Sequence, residues 1–212
     1  ETPVVKGWVV YRSIEDSIKE MSIILELVGS LHADSMRPRH WTQLARVCEV
    51  EKIDPSDSKF SLSDIVKAGV HLHKDECEEV VELSMKELKI ERKVKDISDF
   101  WKKECMNYVP HAGSELMLIK PGEETVEGIE AHQMELQTMM GMGKFVEYFK
   151  ADVMKWQNTL GTVEEVIKVW VNVSRAWGSL ESIFLASADI RSQLPEDTKR
   201  FEGLDGEFKE LM

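Results

Sequence analysis

The sequence predicts a mainly α fold: an elongated, rod-like array of antiparallel helices with one small β-hairpin near residues 104–119. Three observations predict it. Apolar residues recur at steps of three and four through most of the 212 residues. Capping residues and prolines mark where these stripes begin, and glycines mark where several end. One short apolar run, Leu116-Met117-Leu118-Ile119, stands between two turn-forming segments instead.

In chain order, Thr2-Pro3 reads as an N-cap followed by proline at the first helical position. Trp8, Tyr11, Ile14, Ile18, Met21, Leu25 and Val28 then form one apolar face, closed by Gly29-Ser30. A second helix follows Pro38 and carries Trp41, Leu44, Ala45 and Val47. Asp54-Pro55-Ser56-Asp57-Ser58 is loop chemistry, and Ser61-Leu62-Ser63-Asp64 opens a short helix reaching about Ala68. Asp75 and Glu78 have capping-box spacing. The helix after them carries Val80, Leu83, Ile90, Val94, Ile97, Trp101 and Cys105 on one stripe, interrupted by Glu87. At about 30 residues it would span about 45 Å.

Tyr108 to Ser114 is turn chemistry, and the apolar run after it is expected to pair with the segment before Pro110. Helical signal resumes from Val126 to Met140 and breaks at Gly141-Met142-Gly143. Phe145, Phe149, Val153, Trp156 and Leu160 form the next stripe, closed by Gly161. Thr162 with Glu165 opens another helix, buried through Val163, Val166, Ile167, Trp170, Val173, Trp177, Leu180 and Phe184. A terminal helix begins at Leu194-Pro195 and carries Phe201, Leu204, Phe208 and Leu211. Residues 1–60 are expected to form an N-terminal helical pair, and residues 61–212 a bundle that continues the same arm. No internal repeat of solenoid length is visible. The chain reads as an excised stretch of something longer.

Net charge is −12, with 42% apolar and 31% charged residues and a pI near 5.0. This is the composition of a folded chain with a charged surface. It disfavours nucleic acid, anionic membranes and direct contact with an acidic filament surface, all of which demand a basic footprint. Cys48, Cys77 and Cys105 are far apart and odd in number, which suits reduced, half-buried thiols. No apolar run is long enough for a transmembrane helix, and no signal peptide is visible.

Four features invite a chemical reading. Gly141-Met142-Gly143-Lys144-Phe145 resembles a phosphate loop, but Thr138 stands where the first glycine belongs and Phe145 where Ser or Thr would hold the metal. A helix corner is the better reading. His71, His73 and Cys77 lack the further ligands of a tetrahedral metal site. Met36-Arg37-Pro38-Arg39-His40-Trp41 is the one dense basic patch, read as a helix entry whose arginines pair with nearby acids while Trp41 packs inward. The tryptophans other than Trp41, and Met134, Met139, Met140, Met142 and Met154 around the glycine corner, are read as packing. No catalytic, cofactor-binding or metal-binding residue is therefore expected.

The same segments carry a family resemblance. Met36-Arg37-Pro38-Arg39-His40-Trp41 resembles the MR-x-RHW signature near the start of the linker of dynein heavy chains. Leu136 to Met140, then Phe145 and Trp156-Gln157-Asn158-Thr159-Leu160, resemble its central portion. Trp170, Trp177 to Phe184, Asp189 to Pro195, then Lys199-Arg200-Phe201 and Asp205 resemble the run that follows. The wording from Leu180 to Phe208 is similar to axonemal, outer-arm β-type chains.

This resemblance implies a non-catalytic lever in a cytoskeletal motor of the cilium or flagellum. In the family the linker lies across a ring of AAA+ ATPase modules, and it bends and straightens as ATP is bound and hydrolysed. ATP and magnesium would then sit in the ring of the parent chain. The implied partners are that ring, other dynein chains and microtubules. The alternative is a generic helical interaction scaffold or tether.

Overall fold

The structure is a computed structural model that describes residues 8–111, 115–185 and 187–212. The cap expected at Thr2-Pro3 lies outside the described residues. The chain divides into two compact units: Glu1–Lys93 with Lys144–Phe149, and Val94–Gly143 with Lys150–Met212. Each described element is helical apart from one two-stranded antiparallel sheet, as the sequence predicts.

The first unit contains α1 (Val9–Leu31), α2 (Pro38–Val47), α3 (Leu62–Lys67) and most of α4 (Lys74–Trp101). Pro38 occupies the first turn of α2, where its missing N–H costs nothing. Ser61 caps α3 through Asp64, whose carboxylate accepts from the Ser61 N–H and hydroxyl at 2.9 Å each. A 3-10 turn, Val70–His73, runs directly into α4. Asp75 therefore lies inside the first helical turn, beside the partial positive charge of the helix start, and the expected capping box is absent. The core joins Ile24, Leu27 and Leu31 of α1 to Leu44 and Ala45 of α2 and Cys48 just past its end, with Ile65, Val70, Cys77 and Val81. The stripe of α4 ends at Trp101; Cys105 lies beyond the helix and is exposed.

The second unit contains the end of α4, β1 (Asn107–Pro110), β2 (Met117–Lys120), α5 (Glu123–Met140), α6 (Lys150–Phe184), α7 (Ala188–Gln193) and α8 (Pro195–Leu211). The hairpin forms where expected, with Tyr108 opposite Ile119 and Pro110 opposite Met117. Strand β1 ends at Pro110, consistent with proline's inability to donate to the ladder. Helix α5 packs along α6, and α6 packs on α8. Near the C-terminus Trp177, Phe201 and Phe208 make a compact core. Phe208 stacks between Trp170 and Trp177, at centroid distances of 5.7 and 4.4 Å.

Two boundaries differ from the sequence reading. Phe145 and Phe149 lie in 3-10 turns, Gly143–Phe145 and Glu147–Phe149, and α6 begins only at Lys150. Helix α6 then runs unbroken for 35 residues, through Gly161 and Thr162. Thr162 does not cap a new helix; its hydroxyl donates back to the Asn158 carbonyl at 3.0 Å. Glycine in a helix interior costs about 1 kcal/mol relative to alanine. Packing along α5, supported by Gln133 donating to Glu164 at 3.1 Å, outweighs that cost. A short helix that periodicity alone does not announce, α7, precedes α8.

The two glycines should respond oppositely to alanine. A Cβ at Gly161 meets nothing within 4 Å, so Gly161→Ala should stabilise the chain by about 0.5–1 kcal/mol. Gly143 holds φ +61°, so Gly143→Ala should destabilise by about 1 kcal/mol. Urea unfolding of both variants beside the parent checks the signs.

Candidate functional site

The basic patch and the interruption on the α4 stripe prove to be one arrangement. Arg37, the residue before α2, donates its backbone N–H to His40 Nδ1 at 3.0 Å. That bond assigns the ring proton to Nε2, which lies 3.0 Å from Glu87 Oε2. The same carboxylate oxygen accepts from Arg39 Nε at 2.8 Å and from Arg39 Nη2. His40 is 1% and Glu87 5% exposed, so both polar groups are removed from water and satisfied by each other. Nearer the surface Arg37 pairs with Glu91 at 3.1 Å. Below the cluster Ser35 and Ser84 share a buried hydrogen bond of 2.8 Å. Trp41 packs on the core, edge-on to Phe60 at 6.4 Å. The patch is thus a helix entry fastened to α4, as read from its sequence.

Electrostatics keep the imidazole neutral. Burial lowers the His40 pKa, the Glu87 contact opposes that effect, and Arg39 and Arg37 add to the lowering. Protonation would also place a proton on Nδ1, against the Arg37 N–H that it accepts.

Arg39 has a second role. Its guanidinium lies 3.8 Å from the ring centroid of Tyr148. In the same unit Lys86 lies over Phe145 at 3.9 Å, and Lys144 pairs with Glu79 at 3.1 Å. Three cationic contacts therefore hold residues 144–149, just past the glycine corner. At that corner the Gly141 N–H bonds to the Gln137 and Thr138 carbonyls, and the Met142 N–H to Met139. Those amides close a helix end, and Lys144 faces a carboxylate. The local geometry is a corner rather than a phosphate cradle.

His71, His73 and Cys77 do not converge on a ligand set. Cys77 is fully buried beside Cys48, and burial pushes both thiols up, Cys77 to about 12. They are protonated at neutral pH, the form that neither attacks nor ligates well. Among the described residues no group of three or more His, Cys, Asp or Glu side chains forms a metal site. No helix of the described residues is long and apolar enough to cross a membrane.

The apolar faces depart from the sequence reading. Of the stripe expected to be buried on α1, Trp8, Ile14, Ile18, Met21 and Leu25 are exposed, and the helix packs through Ile24, Leu27 and Leu31 instead. On α6, Val166, Val173 and Leu180 are exposed, while Ile167 and Trp177 are buried. Leu204 and Leu211 of α8 are exposed as well. Of the methionines near the glycine corner Met139 is buried, whereas Met134 and Met154 are exposed. Amphipathic periodicity identifies which residues lie on an apolar face, but not whether anything covers it.

The described residues thus form helical units with buried polar fastenings and apolar faces left uncovered. The family model described as "Dynein heavy chain, N-terminal region 2" matches residues 2–212. The ciliary dynein beta chain of Heliocidaris crassispina is 37% identical over 97% of this chain and 4% of its own length. The flagellar outer-arm dynein beta chain of Chlamydomonas reinhardtii is 39% identical over 98% of this chain and 5% of its own. Human dynein axonemal heavy chain 17 is 35% identical over 98% and 5%. The chain belongs to the dynein heavy chain family, and its similarity is to axonemal members, outer-arm beta chains among them. It spans about a twentieth of the length of the curated relatives it matches.

Two outcomes follow. Glu87→Ala should cost about 2–3 kcal/mol, less than a fully buried ion pair because Arg39 reaches solvent. A His40 pKa depressed in the folded state means stability present above about pH 6.5 and lost as pH falls through the lower folded value. His40→Gln keeps an acceptor for the Arg37 N–H and should flatten that acid slope, measured by denaturation at pH 5 and 7.5. Separately, the isolated chain should self-associate with concentration in analytical ultracentrifugation. Ile14→Ser with Ile18→Ser should weaken that association without lowering the melting temperature, because both side chains are exposed.

Proposed function

We propose that this chain is a non-catalytic part of the linker arm of an axonemal dynein heavy chain. It transmits ATP-driven changes in the AAA+ ring of the same heavy chain into displacement of the tail during ciliary or flagellar motility. The observation that carries this reading is the match to the dynein N-terminal region across residues 2–212. Nucleotide and magnesium belong to the ring of the parent chain, and microtubules and the other dynein chains are partners of the parent complex. The relatives are ciliary, flagellar and axonemal chains, which supports a place in the axoneme.

The physical features suit a part that carries load. Helix α4 has 28 residues and α6 has 35, about 42 and 53 Å at 1.5 Å per residue. Surface pairs such as Lys86–Glu82 on α4 and Lys168–Glu164 on α6 decorate them. Each such pair contributes about 0–1 kcal/mol, so contacts of this kind can break and re-form. For nucleotide to move the arm, the ring must contact its bent and straight states differently.

The decisive experiment uses the motor unit of the parent chain, with and without this segment, anchored at equivalent points. ATP turnover and microtubule gliding velocity are recorded together. Hydrolysis that persists while gliding collapses is the expected result. Gliding at normal speed without the segment would make it a passive spacer or docking scaffold.

A further inference from the structure

The hairpin and α6 enclose a pocket of about 370 Å³, within the range of small-ligand and side-chain binding sites. The hairpin is held there by three side chains. Trp170 Nε1 donates to the Ile119 carbonyl at 3.0 Å, His111 bonds Glu181, and the His111 ring lies 4.9 Å from that of Trp177. Trp177 is in turn fixed by donating to Asp205 at 3.1 Å. The pocket is therefore preformed.

Its chemistry is unlike that of the surrounding chain. Val109, Leu118, Ile119 and Val171 supply apolar wall, Lys120 and Arg175 supply positive charge, and no carboxylate is among the lining residues. In a chain with 39 acidic and 27 basic residues such a spot is improbable as random surface. Both cations are exposed, and neither has an ion-pair partner among the described residues. Glu123 and Glu124 share a neighbouring cleft with Lys120, so Arg175 is the stronger anchor. Ser174 is among the lining residues, and its hydroxyl is buried behind the wall without a partner. Elsewhere on α6, Thr159, Thr162 and Ser179 satisfy their hydroxyls by bonding the carbonyl four residues back. Ser174 does not, and a buried hydroxyl left unmade costs about 1–3 kcal/mol.

We propose that this pocket is a docking site for an acidic segment of a protein partner, in which an aliphatic side chain lies beside Asp or Glu. The aliphatic group fills the apolar wall, a carboxylate pairs with Arg175 and Lys120, and Ser174 donates to a carbonyl or carboxylate oxygen. Charge complementarity selects the partner: the cationic rim attracts acidic segments that the net charge of −12 on the chain otherwise repels. An inorganic anion would leave the apolar wall unused, and a basic segment would meet two like charges.

The test is selection of peptides from a random display library on the whole chain, followed by affinity measurement of the enriched peptides by fluorescence anisotropy. Enrichment of Asp or Glu adjacent to Leu, Ile, Val or Met is expected. Arg175→Glu should weaken those peptides at least tenfold, and Ser174→Ala threefold or more, in each case with unchanged circular dichroism and melting temperature. Val171→Trp, which fills the pocket, should also abolish binding. Enrichment of nothing, or of basic peptides, overturns the proposal. So does affinity indifferent to Arg175→Glu and Val171→Trp, or full displacement by inorganic phosphate with no dependence on the aliphatic residue. None of these outcomes depends on whether the chain acts as a lever.

Discussion

Glu87 is the constraint on which the first unit depends. A carboxylate removed from water costs several kcal/mol unless its acceptor sites are filled. Here one oxygen takes donors from both Arg39 and His40, whose side chains leave the first turn of α2. The orientation of that turn is in turn fixed by the Arg37 N–H on His40 Nδ1. An apolar residue in place of Glu87 would allow α2 to slide or rotate over α4. The charged arrangement permits one register, because any other leaves a buried group unpaired. Such clusters specify position more than they add stability.

The same residue connects two features that are far apart in sequence. Arg39 holds Glu87 with one face of its guanidinium plane free for Tyr148, so fastening α2 also fastens the segment after the glycine corner. Lys86, one residue before Glu87, lies over Phe145. Gly143 holds a positive φ, a backbone conformation that glycine adopts without strain. A motif that looks like a phosphate loop in sequence is thus a corner that delivers aromatic rings to cations. Its glycine and lysine supply a turn and an ion pair, Lys144–Glu79.

How much of this was legible in the sequence depends on the kind of signal. Pro38, the Ser61–Asp64 cap, the hairpin strands and the Gly141–Gly143 break are local, and each was readable because its cause lies within four residues. The merging of two expected helices into α6 was not, because Gly161 and Thr162 are weak local signals that packing along α5 overrides. Burial was legible only as periodicity. Ile24, Leu27 and Leu31 carry the packing of α1, one helical step away from the stripe through Ile14, Ile18 and Leu25, which is equally regular. Glu87 was visible as an interruption of an apolar stripe, and Arg39-His40 as a basic patch. What sequence lacked was the 47-residue closure that joins them.

The proposed force-bearing role rests on two physical features, stiffness and uncovered surface. A helix resists bending when its backbone bonds are all internal, and α6 keeps them through a glycine that would otherwise be a hinge. Polar fastenings such as Glu87 tie elements in one register, so a load applied at one end is not dissipated by sliding within the unit. Uncovered apolar faces on α1, α6 and α8 then offer large contact areas at fixed geometry. A segment built to bind a small molecule would invert this pattern, with polar groups free in a cleft and apolar groups hidden. His40, Glu87, Ser35 and Ser84 are fastened in the interior, and the uncovered apolar faces lie outside, where neighbouring surfaces can meet them.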